Sequence, residues 1–193
     1  MLENTIGAGS YNAIQFGGFE NTLPQTVNIQ GMTQWDFRYA PGASVTNRGL
    51  NGKGLSIQGN LNAYQLVEQT VNIVPTALIE MCLHGTYSYV AASKSRTFTV
   101  SGFAKGSAQV PNETAYFCFD VGIKYYGDNH IEYKYFDFNK ELTDWQFLSA
   151  TFTTRPGKIV ESITVDCVYA YQPGVAYFDN ISLVEETGNN VAG

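Results

Sequence analysis

Ala115-Tyr116-Phe117-Cys118-Phe119-Asp120-Val121-Gly122-Ile123-Lys124-Tyr125-Tyr126 is the stretch that decides the fold class. Phe117, Phe119, Val121 and Ile123 occupy odd positions, while Tyr116, Cys118, Asp120, Gly122, Lys124 and Tyr126 occupy even ones. Successive side chains of a strand point to opposite faces, so this pattern gives one face to a core and leaves the other as a surface of aromatics and charges. Gly127-Asp128-Asn129 reads as a hairpin turn into residues 130–138, which makes the two segments antiparallel neighbours.

Further strands follow on both sides. Residues 10–20 predict a first strand with a kink or bulge at Gly17-Gly18, and residues 21–31 a polar loop. Short strands are expected over residues 35–39 and 44–46, separated by the turn signal Pro41-Gly42. Residues 55–59, 67–71, 96–105, 145–153, 159–171 and 175–184 complete the set, with Pro75 closing the second of these. Residues 76–83 fit a short helix or a buried strand equally well. Strands at short intervals between turns, with no long amphipathic helix, predict an all-β antiparallel sandwich.

Composition agrees. The chain has 193 residues, 44% hydrophobic and 15% charged, with 13 Tyr, 12 Phe and 19 Gly. A chain of this length buries roughly 70% of its unfolded surface without needing a disulfide framework. One module over residues 1–185 and a linker over 186–193 are expected. A net charge of −6 argues against nucleic acid as a partner, because phosphate binding draws on Lys and Arg. Cys82, Cys118 and Cys167 lack metal-ligand spacing and read as small buried hydrophobes. No apolar run is long enough to span a bilayer, and Met1-Leu2-Glu3 does not open a signal pattern, so an excised module without membrane insertion is expected.

Catalytic constellations are missing from the pattern. His84 and His130 lie in no nucleophile or metal motif. Asp120, Glu132, Asp137 and Asp166 are available for acid–base work, but their separation is not readable from sequence, and no phosphate-binding glycine loop occurs. The chain is therefore not expected to be an enzyme. Sugar binding fits better, since sugar rings present apolar faces to aromatic rings and hydroxyl rims to amides and carboxylates. Tyr116, Asp120, Lys124 and Tyr126 share the even face, Glu132 and Lys134 extend that row if the pairing is right, and Trp35 is a candidate for its rim. The competing reading is an ordinary solvated strand face. Trp145, beside Leu148 and Phe152, reads as core.

Ala176-Tyr177-Phe178-Asp179-Asn180-Ile181-Ser182-Leu183 places one carboxylate inside a strand-like run. A residue so poorly suited to strands suggests a specific partner, most simply a cation. Phe16-Gly17-Gly18-Phe19-Glu20 supplies a second carboxylate after a glycine pair able to turn carbonyls towards a hard ion, so Glu20 and Asp179 could clip the two ends of the chain.

Gly-Gly-Phe-Glu near the start, Trp145-Gln146 late and Tyr-Phe-Asp-Asn-Ile-Ser-Leu at the end resemble the jelly-roll carbohydrate-binding modules of the galactose-binding-like group. More narrowly, the run Arg96-Thr97-Phe98-Thr99-Val100-Ser101-Gly102-Phe103-Ala104-Lys105, followed by Phe138-Asn139, Trp145-Gln146-Phe147 and Ala176-Tyr177-Phe178-Asp179-Asn180, looks like modules of bacterial RHS or YD-repeat surface proteins. The resemblance implies a jelly roll with a structural calcium held by Glu20 and Asp179 and by the Gly18 and Lys53 carbonyls. It also implies an extracellular or cell-surface setting within a larger secreted chain. Two roles follow: a noncatalytic module attaching its parent to polysaccharide, or a structural or adhesive spacer with no sugar ligand.

Overall fold

Alternating β-branched and aromatic residues produce nine strands among the described residues, and no helix. They are β1 (Ser44–Gly49), β2 (Gly52–Gln58), β3 (Leu66–Asn72), β4 (Thr97–Gly106), β5 (Tyr116–Tyr125), β6 (Ile131–Asp137), β7 (Gln146–Thr153), β8 (Val160–Ala170) and β9 (Val175–Glu186). The computed structural model describes residues 12–20, 35–73, 95–107 and 114–186. The expectations for residues 21–31 and 76–83, for Cys82 and His84, and for most of the 186–193 linker lie outside the described residues.

Two antiparallel sheets face each other, in the orders β1-β2-β9-β4-β7 and β3-β8-β5-β6. The crossovers between non-consecutive strands are those of a jelly roll. Phe117 and Phe119 point inward as their odd positions require, and pack with Phe138 and Phe178 at ring-centroid distances of 4.9 to 6.2 Å. Each such ring buries a large apolar area, so this cluster is the main cement between the sheets. Cys118 and Cys167 are free, buried thiols, and desolvation pushes both up in pKa.

Three expectations change here. Residues 12–20 do not run as a strand: after the bridge Asn12↔Val184 the chain turns, with Phe16 at φ 54° and Phe19 at φ 56°. It is held to β9 by Ala13 N donating to Leu183 O at 2.8 Å and Ile181 N to Gly17 O at 3.0 Å. Residues 35–39 contribute one bridge, Asp36↔Glu68, in place of a strand. Trp145 is not core: its ring is half-buried on the outer side of the five-stranded sheet, 5.2 Å from Lys105 Nζ, because it shares the outward parity of Phe147 rather than the inward parity of Leu148 and Phe152.

Candidate functional site

The register of the four-stranded sheet lines up Glu68, Asp166, Asp120 and Tyr135 across β3, β8, β5 and β6. Partners directly opposite in antiparallel strands present side chains to one face, so these four form a single row on the outer face. Thr70, Thr164, Gly122 and Tyr133 form the next row. A Cβ on Gly122 would lie 3.3 Å from Tyr133 Cε1, so glycine lets that ring lie close over β5. At the start of β5, Tyr64, Tyr116 and Tyr171 gather with centroids 5.3 to 6.3 Å apart, and Tyr135 stands 6.3 Å from Tyr116. Tyr116, Tyr133 and Tyr135 are 38%, 50% and 51% exposed. The aromatic rings are thus open to a ligand while the carboxylates sit below them.

Those carboxylates are unusual. Asp120 and Asp166 are almost fully buried, and the Oδ1 of each has no hydrogen-bond partner among the described residues. Tyr64 OH donates to Asp120 Oδ2 at 3.4 Å. Burial pushes Asp120 up to about 6, partly offset by the Tyr64 hydrogen bond. Burial, then the charges of Asp120 and Glu68, push Asp166 up to about 8. Glu68 is raised by burial and by Asp36.

Tyr116, Asp120 and Lys124 share the face assigned to them from sequence. Lys124 lies near its far end, ion-paired with Glu161 at 2.8 Å. Tyr126 does not join them. It stands in the turn after β5, past a bulge between Lys124 and Tyr125, ten residues or roughly 33 Å of extended chain from Tyr116. Glu132 and Lys134 lie on the wrong face, because Ile123 pairs with Glu132 and Val121 with Lys134, which turns both towards the core side. There Glu132 accepts from Lys134 Nζ and Arg155 Nε at 2.8 Å and from Tyr125 OH at 3.1 Å, and the Lys134 bond leads in lowering its pKa. Trp35 is no rim residue: it is 1% exposed, packs 5.3 Å from Phe19 and donates Nε1–H to Phe16 O. Tyr64, Glu68, Tyr133, Tyr135, Asp166 and Tyr171 complete the face in their place. Asp166 carried a readable signal, a lone carboxylate inside the strand run Val165-Asp166-Cys167-Val168.

The second candidate is the clip between the chain ends. Glu20, Lys53 and Asp179 do meet, on the β1–β2 turn. Asp179 is 1% exposed, accepting from Leu50 N at 2.8 Å and Asn180 N at 2.7 Å. Glu20 Oε1 accepts from Lys53 N at 2.8 Å, while Lys53 Nζ donates to Glu20 O at 3.0 Å. A Cβ at Gly49 would fall 2.0 Å from Lys53 O and 2.8 Å from Asp179 Oδ2, and one at Gly52, whose φ is 108°, would fall 2.3 Å from Glu20 Oε1. At either glycine a side chain would collide with these oxygens. Burial raises the Asp179 pKa, backbone hydrogen bonds lower it, and the charge of Glu20 adds to the rise. Two carboxylates and a carbonyl brought to one turn, with no side-chain ion pair on Asp179 among the described residues, match the oxygen preference of calcium. Gly18 lies against the neighbouring Asn180, its Cβ position 3.3 Å from Asn180 Oδ1. Among the described residues, no group of three or more His, Cys, Asp or Glu side chains is placed to hold a metal.

The family 16 carbohydrate-binding module-2 superposes on 89% of this chain and 99% of its own, with a TM-score of 0.54 at 20% identity. The two share a jelly-roll β-sandwich fold. The enzymatically active domain of bacteriophage CBA120 tailspike protein 4 shares this jelly roll over 89% of the chain, with a TM-score of 0.53 at 12% identity, although the match covers only 21% of that protein. No protein-family profile matches the chain, and no curated protein matches it.

Proposed function

We infer that the protein is a noncatalytic carbohydrate-binding module, which holds a secreted or surface protein against polysaccharide through the outer face of β3-β8-β5-β6. The observation that carries this reading is the half-exposed tyrosine set Tyr116, Tyr133 and Tyr135, standing over acceptor oxygens without a partner among the described residues. Rings supply stacking area at low entropic cost, and carboxylates accept sugar hydroxyls. Catalysis fits the face poorly. Glycoside hydrolysis places its two carboxyl groups on either side of the scissile bond, whereas Asp120 and Asp166 stand side by side on one surface. Membership of a repeat-containing bacterial surface protein is supported by the order of the sequence blocks alone.

Affinity electrophoresis through gels containing plant and bacterial polysaccharides tests the reading. Retention by at least one polymer, weakened by Tyr116→Ala with an unchanged melting midpoint, is the expected result. Free migration of the folded protein through every polymer would overturn it and leave the spacer role.

A structural calcium belongs to the same proposal, held by Glu20, Asp179 and the Lys53 carbonyl beside Gly18 and Gly49. It would bridge the segment before β1 to β9, and an ion that binds only the folded chain at a hundred times its dissociation constant stabilises by roughly 2.7 kcal/mol. Thermal melts of protein first shown to be metal-free should rise with calcium and lose that rise in Asp179→Ala. A midpoint indifferent to calcium removes the ion from the proposal.

A further inference from the structure

The row Glu68–Asp166–Asp120 holds three carboxylates in register on adjacent strands, roughly 5 Å apart. Two of them, Asp120 and Asp166, are at least nine-tenths buried, each with one oxygen that has no partner among the described residues. Among the described residues the nearest cations have other partners: Arg38 is paired with Asp36, although its charge also reaches Glu68, Lys124 is paired with Glu161, and Lys140 donates to the Ala115 carbonyl. A buried carboxylate without a cation is costly to ionise, and burial pushes Asp166 up to about 8, so an arriving cation would take the place of its proton.

We propose that this row makes the sheet face selective for glycans carrying protonated amines, that is polymers of 2-amino-2-deoxy sugars with free amino groups, over neutral and acidic glycans. This rests on the sugar-face reading above and gives it a ligand class. An ammonium brings three donors and a full positive charge to the open Oδ1 atoms of Asp120 and Asp166, whereas a hydroxyl brings one donor and no charge. A uronate or sulfated sugar brings a further negative charge and no cation to the row, so it gains no such pairing. The strand spacing suits a chain running across the sheet with about one sugar unit per strand, and because successive units of a β-1,4 chain are turned over, every second amine faces the row. Tyr133 and Tyr135, half-exposed on edge strand β6, can change rotamer into solvent and open the row without moving the backbone.

Calorimetry with three tetrasaccharides on one β-1,4 backbone tests this: glucosamine tetramer, its fully N-acetylated form and cellotetraose, at about pH 6 where the amines are protonated. The amine tetramer should bind at least fivefold more tightly than either neutral one. Asp166→Asn should abolish that preference while leaving weak neutral binding, and Glu68→Gln, at a less buried position, should reduce it if Asp166→Asn fails to fold. A smaller preference, or one that survives both substitutions, overturns the amine selectivity while any neutral binding keeps the sugar-face reading intact. No binding of any tetrasaccharide or of the polysaccharide panel overturns both.

Discussion

The outer faces of the two sheets are built from similar strands, and they differ in how their polar groups are satisfied. On the five-stranded sheet, Thr99 and Thr151 hydroxyls meet at 2.9 Å, Ser101 and Ser182 at 2.7 Å, and Thr99 also donates to Glu186 at 2.7 Å. Its aromatic corner is likewise self-contained, with Lys105 Nζ lying over the Trp145 and Tyr177 rings and Arg48 donating to Tyr177 OH. The four-stranded sheet has such pairs at Thr70–Thr164 and Lys124–Glu161, but it leaves one oxygen each of Asp120 and Asp166 without a partner among the described residues, where the five-stranded sheet leaves only the Thr46 hydroxyl. Polarity alone therefore does not mark a binding face; unmet hydrogen-bonding capacity beside open rings does.

The largest test of that contrast is Asp166→Asn. A carboxyl whose pKa is raised in the folded state binds its proton more tightly there, so its contribution is full below the unfolded value near 3.8 and is lost as pH rises towards about 8. The substitution should raise the melting midpoint at pH 8, by an amount corresponding to on the order of several kcal/mol, at about 2–4 °C per kcal/mol for a chain of this size. The gain should fade towards pH 4. A pH-independent difference would show that the carboxyl is not buried unpaired, and the contrast between the faces would go with it.

Next in size is a pair of ring truncations. Tyr133→Ala should weaken glycan retention about tenfold, roughly 1.4 kcal/mol, while Phe147→Ala, a more exposed ring on the other sheet, should leave retention unchanged. Equal losses would mean that both faces take sugar. Glu132→Gln should cost about 1 kcal/mol in urea unfolding, through weakened bonds to Lys134, Arg155 and Tyr125, with retention intact. Smallest is Thr151→Val, expected to shift stability by less than about 0.5 kcal/mol.

The sandwich was legible because alternation is a local signal: Phe117, Phe119, Val121 and Ile123 turn inward wherever β5 pairs. The site was half legible for the same reason. Tyr116, Asp120 and Lys124 come with β5 itself, but the face of β6 depends on how many residues the turn consumes. Lys124 pairs with Ile131, so odd residues of β6 join the even face of β5, and Tyr133 and Tyr135 stand where Glu132 and Lys134 were expected. A one-residue slip inverts every side chain of a strand. The contributions of Glu68 and Asp166 needed the pairing of β8 with both β3 and β5, which no local pattern encodes. Trp35 misled because a large ring after a polar loop reads as exposed, while its single N–H is met by Phe16 O and allows full burial.

The bridge between Asn12 and Val184 also governs how the module bears a pull. Asn12 Oδ1 accepts from Leu183 N at 2.9 Å, and beyond it Ala13 and Gly17 pair in turn with Leu183 and Ile181. Tension applied through the backbone before residue 12 and after residue 186 would load these bonds one at a time, in the manner of a zipper rather than in shear. Peeling would reach Glu20 and Asp179 only after those contacts had opened, so the junction on the β1–β2 turn is the mechanical stop, and the ring-lined sheet behind it would keep its shape while the ends give way.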